Sequence, residues 1–456
     1  MPKILKFGGT SVGTAVAIKQ LISIIESSPK GSVAVFSAFA KVTDLITEAT
    51  ETALNNLEKA QEFVYRIEMR ALGLIEEVIS DSELIREAEN QVKAHLNELK
   101  ELLESINFLK ECHGSAIDSA LAKGELVSST VIHFALLDSG IKSFLADSRN
   151  FMITDSNYCH ANPQYALITE KIKSELIEPM IAGDYHIAVT QGFIARSTQL
   201  KTTTLGRGGS DFSASIIGAC MAKNDYEIDS IDIYTDVDGV MTADPRLVPN
   251  AKSIDKISIS EMLEMSYFGA KVLHPKTILP ALEAQIPVNV MNTMNSAFLG
   301  TKIINENVDS ESEIHSIINL KDLYIFRIAA DDAKACVNEV HNLSQRIMAT
   351  NSTIIYSSII AYNGLIIAMV PDKTNLMVLQ SNGKVPEPIF GCAITGENLR
   401  LDDEIMAISK MVELGITKPK IDFYQSPTGN SIIITCDTPL DLQQIHDKLV
   451  IRATAQ

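Results

Sequence analysis

The sequence of 456 residues lacks the features of several protein classes. Its six cysteines form no C-x-x-C pair, which favours reduced thiols over a disulfide framework or a zinc site. No apolar run reaches the length of a membrane span, and no basic stretch followed by an apolar one opens the chain. Acidic residues outnumber basic ones, 57 to 39, and the net charge of −18 argues against general nucleic-acid binding. We therefore expect a cytoplasmic protein that binds neither membrane nor nucleic acid, although a local basic pocket could still hold an anion.

Proline and glycine are scarce in one long stretch. No proline lies between positions 29 and 163, and Gly73 is the only glycine between positions 31 and 114. The stretch 43–121 is rich in leucine, glutamate, alanine and lysine, so it predicts two or three long helices.

Short apolar, β-branched segments alternate with turns and helical patterns around that stretch. They lie at 3–7, 32–37, 186–191 and 231–235, and each ends in a turn rich in glycine, serine, threonine or aspartate. This alternation predicts an α/β domain over 1–304, with a mainly parallel sheet and helices on both faces. Ligands bind such sheets at the carboxyl ends of the strands, where these turns fall.

The remainder of the chain has a different pattern. Residues 305–313 are polar and acidic and are typical of a linker. Residues 314–384 and 385–456 each contain strand, helix, strand and strand patterns, which predicts two small α+β domains in tandem. Neither contains a convincing catalytic cluster.

The first strand leads into "KFGGTS". Gly8 and Gly9 let a backbone approach a ligand closely, Thr10 or Ser11 could cap the following helix, and Lys6 would add a positive charge. A helix N-terminus with free N–H groups binds phosphate, but this is not the P-loop motif. The alternative is a lysine that extends to solvent beside an ordinary turn.

A second glycine-rich stretch is "TTTLGRGGSDFSAS", residues 202–215. Arg207 offers a guanidinium that matches a carboxylate or phosphate, and Ser210 or Asp211 could cap the next helix. The alternative is a mobile surface loop with an ordinary helix cap.

A third stretch, "YTDVDGVMTADPR", contains Asp236, Asp238 and Asp244. Their spacing does not match a calcium-binding loop, and turn formation explains Asp238-Gly239 and Asp244-Pro245. We therefore predict no protein-held metal. A fourth stretch, "FGAKVLHP", places Lys271 in a helix-compatible segment.

Together with "SAFAKVTD" and the "GELVSS" that contains Glu125, these motifs closely resemble those of the aspartate kinases. That group belongs to the amino acid kinase family and carries paired regulatory ACT domains, which are small ferredoxin-like α+β units. The resemblance covers residues 1 to about 304 with high specificity, and beyond them it depends on the repeated strand and helix pattern.

The resemblance implies that ATP and L-aspartate give 4-phospho-L-aspartate and ADP, the first step toward lysine, threonine, methionine and diaminopimelate. A carboxylate nucleophile is already ionised at pH 7, so no general base is needed. Mg²⁺ would bridge the nucleotide phosphates, and positioned cations and N–H groups would stabilise the moving charge.

The resemblance also implies roles for residues of this chain. For Glu125, a surface carboxylate on a helix is the alternative. The implied roles are catalysis for Lys6 and Asp211; binding of the α-carboxylate for Arg207 and of the α-ammonium for Glu125; lining of the aspartate pocket for Ser37, Thr43 and Ser210; and nucleotide contact for Lys6, Gly8, Gly9, Thr235, Asp236, Arg246 and Lys271.

The chain departs from the family pattern at several positions. Lys41 stands where many members carry glycine, and Met241 where many carry an aromatic residue. The strand at 353–359 lacks the acidic residue often found in members inhibited by lysine or threonine, so either amino acid remains only a candidate effector. ACT-like units form two-fold dimers, so we expect a homodimer or higher homo-oligomer. In many members the first unit is inserted within the second, and the strand at 314–320 would then pair with strands near the C-terminus.

Two other functions remain open on the residues alone. One is a related kinase that acts on glutamate, acetylglutamate, carbamate or a nucleotide. The other is a catalytically silent amino acid sensor, which the presence of Lys6, Arg207 and Asp211 disfavours. We expect no fused homoserine dehydrogenase, since the sequence contains no G-x-G-x-x-G motif.

Overall fold

The computed structural model of the chain forms two compact units. One comprises Met1–Val240 with Leu273–Asn305, and the other comprises Met241–Val272 with Glu306–Gln456. The residues described are 1–270, 273, 275–295, 298–304, 313–350, 352–360, 363–380, 385–397, 399, 407, 409–410, 413–414, 424–425 and 431–450.

The strands follow the apolar, β-branched segments of the sequence. All four strands predicted for the first domain are present, with ends shifted by at most one residue. In chain order the strands are β1 (Ile4–Phe7), β2 (Ser32–Phe36), β3 (Ser143–Ala146), β4 (Ile153–Thr154), β5 (Ile187–Gln191), β6 (Ile194–Ser197), β7 (Thr202–Thr204), β8 (Ile231–Thr235), β9 (Lys256–Ser258), β10 (Val288–Asn292), β11 (Thr301–Ile304), β12 (Glu313–Leu320), β13 (Leu323–Ala329), β14 (Thr353–Ile360), β15 (Asn363–Met369), β16 (Glu387–Pro388), β17 (Phe390–Glu397), β18 (Tyr424–Gln425) and β19 (Ser431–Cys436).

The helices include the long ones predicted for the stretch poor in proline and glycine. In chain order the helices are α1 (Ala15–Glu26), α2 (Val42–Ala53), α3 (Leu57–Val78), α4 (Ser82–Leu109), α5 (Gly114–Asp138), α6 (Tyr165–Ile172), α7 (Glu178–Ala182), α8 (Gly209–Ala222), α9 (Ile259–Tyr267), α10 (Pro275–Glu283), α11 (Ala333–Ala349) and α12 (Leu442–Leu449).

The first unit is built on a sheet in the order β3-β5-β2-β1-β8-β10-β11. All neighbouring pairs in this order are parallel except β10 with β11. In the central strand, Lys6 is in register with Val35 on one side and with Ile233 on the other. The mainly parallel sheet predicted from the sequence is confirmed.

Helices cover both faces of this sheet, which explains why its strands are almost continuously apolar. Leu5 and Phe7 face a core formed with α1 to α5, where Phe7 stacks on Phe36 and Tyr234 with ring centroids 5.4 and 4.8 Å away. Ile4 faces the other side, where α8 packs closely through Gly218. Because side chains alternate along a strand, Lys6 faces the α8 side.

The three helices between β2 and α5 are amphipathic. In α4 the buried side chains are Ala88, Val92, Leu96, Leu99, Leu103 and Ile106, a spacing of three or four residues that forms one apolar stripe. Among the helices described, only α5 is long and apolar enough to cross a membrane, and 83% of its most apolar window is buried inside the structure. Its apolar character therefore belongs to a core helix.

The second unit contains two four-stranded antiparallel sheets, in the orders β14-β15-β13-β16 and β12-β17-β19-β18. Strand β13, helix α11 and strands β14 and β15 confirm the strand and helix pattern predicted for the first ACT-like domain. In the second ACT-like domain the sequence pattern predicts a helix at 403–415 and a strand at 420–425. Most of both segments lies outside the described residues.

Along the chain, all strands of the first small sheet lie between strands β12 and β17 of the second. Strand β12 pairs with β17, as expected if the first ACT-like unit is inserted within the second. Its Ile314 and Ile317 belong to the same core as Ile394 and Ile432. A tandem boundary that assigns 314–320 to the first ACT-like domain is therefore wrong for this strand, and the other domain limits stay predictions.

Candidate active site

Lys6 and Asp211 form an ion pair at the carboxyl end of the central strand. The distance from Lys6 Nζ to Asp211 Oδ1 is 2.7 Å, and the side chains are only 11% and 16% exposed. Asp211 lies in the first turn of α8, the helix that covers this face of the sheet. Within the described residues, this Oδ1 meets no other hydrogen-bond donor. A partly buried lysine thus has one carboxylate as its ion-pair partner.

The two glycines after β1 have different structural roles. At Gly8 an added Cβ would have ordinary contacts, 3.6 Å from Lys6 Nζ and from the carbonyl oxygen of Tyr234, and the Gly8 N–H already donates to that carbonyl. At Gly9 a Cβ would lie 2.9 Å from the carbonyl oxygen of Ala38. Gly9 is therefore required by the approach of the next loop. Its own N–H has no acceptor in the part of the chain that the structure describes.

The helix after these glycines begins later than the sequence suggested. Its N-cap is Thr14, whose side chain accepts a hydrogen bond from the N–H of Ala17, so the expectation that Thr10 or Ser11 caps it is wrong. Ser11 is instead buried, and its hydroxyl accepts a hydrogen bond from Thr293 at 2.6 Å.

The loop after β2 lies against the glycine loop. Ser37 donates its N–H to Phe7 at 3.1 Å, and Ala40 donates to Gly9 at 3.0 Å. Thr43 is in the first turn of α2. Lys41 has a φ of +68°, a left-handed conformation that costs a non-glycine residue about 1–2 kcal/mol. Glycine, the residue of many aspartate kinases here, avoids that cost.

Glu125 is a buried carboxylate in α5 and is only 4% exposed. Its Oε1 accepts a hydrogen bond from the N–H of Ala38 at 3.2 Å, whereas Oε2 has no hydrogen-bond partner among the described residues. Burial raises the pKa of this carboxyl to about 8. The surface-carboxylate alternative is therefore wrong, and Glu125 is able to accept a cation.

Arg207 lies in the loop before α8. Gly206 and Gly208 have positive φ angles of 77° and 71°, and Gly208 is the N-cap of the helix without a side-chain hydrogen bond. The expectation that Ser210 or Asp211 caps α8 is thus wrong. Arg207 is exposed and has neither an ion pair nor a hydrogen bond in the described part of the chain.

Backbone contacts bring these loops together. Ala38 touches both Gly9 and Glu125, and Gly192, which follows β5, donates its N–H to Phe36 at 2.9 Å. A Cβ on Gly192 would lie 2.6 Å from the Cβ of Ser210, so β5 and the start of α8 are in close contact. The residues that meet at this edge of the sheet are Lys6, Gly8, Gly9, Ser37, Glu125, Ser210 and Asp211. The contacts described do not join Thr43 or Arg207 to this group.

Thr235 and Asp236 end the neighbouring strand β8. The Thr235 hydroxyl donates to the Asp236 carboxylate at 3.1 Å, and Asp236 is exposed. Asp238 accepts hydrogen bonds from the amides of Asn292 and Asn295, at 2.7 and 3.2 Å. These amides give Asp238 a structural role in the turn, as the sequence favoured.

The other predicted nucleotide contacts are not in the described part of this unit. Arg246 belongs to the second unit, where its Nε and Nη2 donate to the carboxylate of Asp244 at 2.8 and 2.7 Å. Lys271 lies outside the described residues. The roles predicted for Arg246 and Lys271 therefore stay predictions.

Sequence reasoning missed Arg70 of α3. Its guanidinium donates to the carbonyl oxygen of Ala40 and, at 3.0 Å, to that of Gly13. It also lies 5.8 Å from the centre of the Phe39 ring. Arg70 thereby ties together the loops that follow β1 and β2. The role of Arg70 is visible only from its contacts with residues distant in sequence, because no local motif distinguishes one arginine among the many charges of α3.

Comparison with known proteins agrees with this architecture. The model of the amino acid kinase family matches residues 1–292. An aspartokinase from Chlamydia trachomatis is 34% identical over 322 residues, which are 70% of this chain and 68% of that protein. A bifunctional aspartokinase/homoserine dehydrogenase from Buchnera aphidicola is 33% identical over 73% of this chain, and the chain spans only 40% of its length.

The whole chain also shares its fold with solved structures. E. coli aspartokinase III, in complex with aspartate and ADP, covers 98% of this chain with a TM-score of 0.78 and 23% identity, and the matched region is 100% of that chain. Its complex with lysine and aspartate gives the same score and identity. The chain belongs to the amino acid kinase family, and within that family to the aspartokinases.

Replacing Arg70 with methionine should loosen both loops. Each lost bond from a charged donor is worth roughly 1–3 kcal/mol. We expect faster amide hydrogen exchange in peptides that cover 8–14 and 37–43, with no change in β3. The control is Arg66→Met. Arg66 likewise lies beside an aromatic ring, that of Phe63 at 5.9 Å, but this ring belongs to its own helix α3 and not to a loop of the site. Equal exchange in both variants would contradict the role of Arg70.

Proposed function

We propose that this protein is an aspartate kinase, which transfers the γ-phosphoryl group of ATP to the side-chain carboxylate of L-aspartate. The observation that carries the proposal is the combination at one sheet edge of the Lys6–Asp211 ion pair with the half-satisfied, buried carboxylate of Glu125. The names of the relatives support the proposal, and so do the aspartate and ADP bound in E. coli aspartokinase III. The products would be 4-phospho-L-aspartate and ADP.

The charges of the site are complementary to an amino acid. Glu125 Oε2 would accept the α-ammonium group, which would supply the missing partner of this buried atom. Arg207 would hold the α-carboxylate through two parallel hydrogen bonds. Ser37, Thr43 and Ser210 would line the remaining pocket. The side-chain carboxylate of aspartate would then point toward Lys6.

The chemistry needs positioning and charge neutralisation. The substrate carboxylate is ionised at neutral pH, so it attacks the γ-phosphorus without a general base. Lys6 would neutralise charge on the transferring group, while Asp211 keeps the lysine in place. Since the N–H of Gly8 is engaged with Tyr234, the Gly9 N–H is the better candidate donor to a phosphate.

The nucleotide would enter as its Mg²⁺ complex. Mg²⁺ usually keeps several waters and binds substrate phosphates, so phosphate oxygens and water would hold most of its coordination sites in this complex. Thr235 and Asp236, at the end of β8, would contact the nucleotide, together with Arg246 and Lys271.

The resemblance to aspartate kinases also implies the place of the reaction, which would be the first step of lysine, threonine, methionine and diaminopimelate synthesis. We assign the enzyme to the cytoplasm, and its six cysteines are all free thiols.

Replacing Lys6 with methionine should abolish most of the activity. The change keeps the length of the side chain and removes the charge, so kcat should fall by at least about 10²–10³-fold. The assay traps the acyl phosphate with hydroxylamine in the presence of Mg-ATP and L-aspartate, beside a panel that includes glutamate.

The matched control is Lys3→Met. Lys3 lies just before the same strand and pairs with Asp232 at 3.0 Å, but at the opposite end of the sheet. It should keep its activity. Hydroxamate from another acid and none from aspartate would move the protein to a related kinase. No product from any acid would favour the sensor.

The raised pKa of Glu125, about 8, predicts a pH-dependent affinity for aspartate. At pH 7 the free site is mostly protonated, and binding of an ammonium group requires the ionised carboxylate. The Kd for aspartate should therefore rise about tenfold per pH unit below pH 7, with one proton released on binding. Calorimetry in buffers of different ionisation enthalpy measures both quantities.

Glu125→Gln should bind aspartate roughly a hundredfold more weakly and with a flat pH profile. In the wild type, the folded-state pKa of Glu125 lies above the unfolded value, so the free energy of unfolding falls as the pH rises from about 4.5 to about 8. Glu125→Gln should lack this pH-dependent fall. An unchanged pH profile in the variant would assign the titration to another group.

We further propose that the ACT-like sheets form a homodimer and bind an amino acid effector, with lysine and threonine as candidates. Exposed apolar side chains of α11, Val337 and Met348, offer a surface for pairing. Strand β14 presents Ser357 and Ser358 and contains no acidic residue, so an effector ammonium group would need carbonyl or hydroxyl partners there.

Light scattering should give the mass of two chains. In the hydroxamate assay, lysine or threonine at millimolar concentration should inhibit the wild type. A monomeric mass, or activity unaffected by both amino acids, would refute the corresponding part of this proposal.

A further inference from the structure

A second buried carboxylate of α5 lies outside the cluster described above. Asp118 is 0% exposed and stands seven residues before Glu125. Seven residues make about two helical turns, so both carboxylates project from the same side of α5, roughly 10 Å apart along its axis. Buried carboxylates are rare unless they are fully hydrogen-bonded, so its partners indicate its role.

Both oxygens of Asp118 are fully used by two segments distant in sequence. Oδ2 accepts from the N–H of Cys159 at 2.9 Å and from the N–H of Thr204 at 3.1 Å. Oδ1 accepts from the Thr204 hydroxyl at 2.7 Å and from the same Cys159 N–H at 3.1 Å. Asp118 therefore fixes two segments onto α5 at once.

These two segments enclose the beginning of the Arg207 loop. Thr204 ends β7, three residues before Arg207, and Leu205 is buried and donates its N–H to Phe193 at 3.0 Å. On the other side, a Cβ on Gly206 would lie 2.5 Å from Nδ1 of His160, the neighbour of Cys159. The path of the chain into Arg207 is therefore set by what Asp118 holds.

We propose that Asp118 is a positioning residue that fixes Arg207 relative to Glu125 and thereby selects substrates that carry an α-ammonium group next to a carboxylate. The inference depends on the proposed function, because it assigns those two groups to Glu125 and Arg207. Helix α5 would then carry Glu125, which binds the ammonium group, and Asp118, which holds Thr204 and through it the loop of Arg207. The spacing of the two charges is built into α5.

The test is Asp118→Asn, which keeps the shape but turns one acceptor into a donor that faces backbone N–H groups. We expect the KM for aspartate to rise about ten- to hundredfold, with little change in the KM for ATP or in kcat. In the Arg207→Met background the same change should have little further effect on the KM for aspartate, because the positioned group is already absent. Effects that multiply, or equal changes for both substrates, would overturn the proposal.

The matched control is Asp138→Asn. Asp138 ends the same helix and accepts two backbone N–H groups, those of Ser80 and Asp81, at 3.0 and 2.9 Å. It should leave the KM for aspartate unchanged. If Asp118→Asn does not fold, Thr204→Val removes only the hydroxyl donor and should shift the same parameter in the same direction, by severalfold.

A second measurement separates this proposal from the proposed function. Amide hydrogen exchange of the peptide that spans 202–208 should accelerate in Asp118→Asn, whichever acid the wild type phosphorylates. If aspartate yields no hydroxamate, the proposed function fails, and accelerated exchange would still support the positioning of Arg207. Unchanged exchange would overturn it, even in an active aspartate kinase.

Discussion

The site depends on the ion pair between Lys6 and Asp211 inside a sheet that is covered on both faces. A lysine in the central strand is tolerated there only because a carboxylate meets it, since an unpaired charge in such surroundings is costly. The partner comes from α8, so this helix must start at the carboxyl end of the sheet. The loop that leads into this helix contains Arg207.

Close backbone approach accounts for the rest of the geometry. Gly9 admits the loop after β2, Gly192 admits the start of α8, and Gly124 allows Ala38 to lie against α5. Each glycine stands where a Cβ would collide with a neighbouring loop or helix, so the segments around these three glycines pack closely together. This packing limits how far the charged groups can move apart.

The two buried carboxylates of α5 differ in how completely the protein satisfies them. Asp118 is fully satisfied by the protein, whereas Glu125 has one oxygen without a partner in the described structure. A satisfied carboxylate holds loops in place, and a half-satisfied one is suited to a ligand cation. The difference lies in which backbone N–H groups reach each position.

The sequence by itself determined the parallel sheet, the long helices and the glycine-rich loops, because apolar period, proline scarcity and turn chemistry are local properties. Its motifs also predict Lys6, Glu125, Arg207 and Asp211 as site residues. Only the tertiary structure decided that Glu125 is buried, that Thr14 and Gly208 cap their helices, that β12 pairs with β17, and that Arg70 and Asp118 each join segments distant in sequence. The two helix caps are local choices among neighbouring candidates. The other features depend on contacts between residues far apart in the chain, and no local pattern encodes which segments meet.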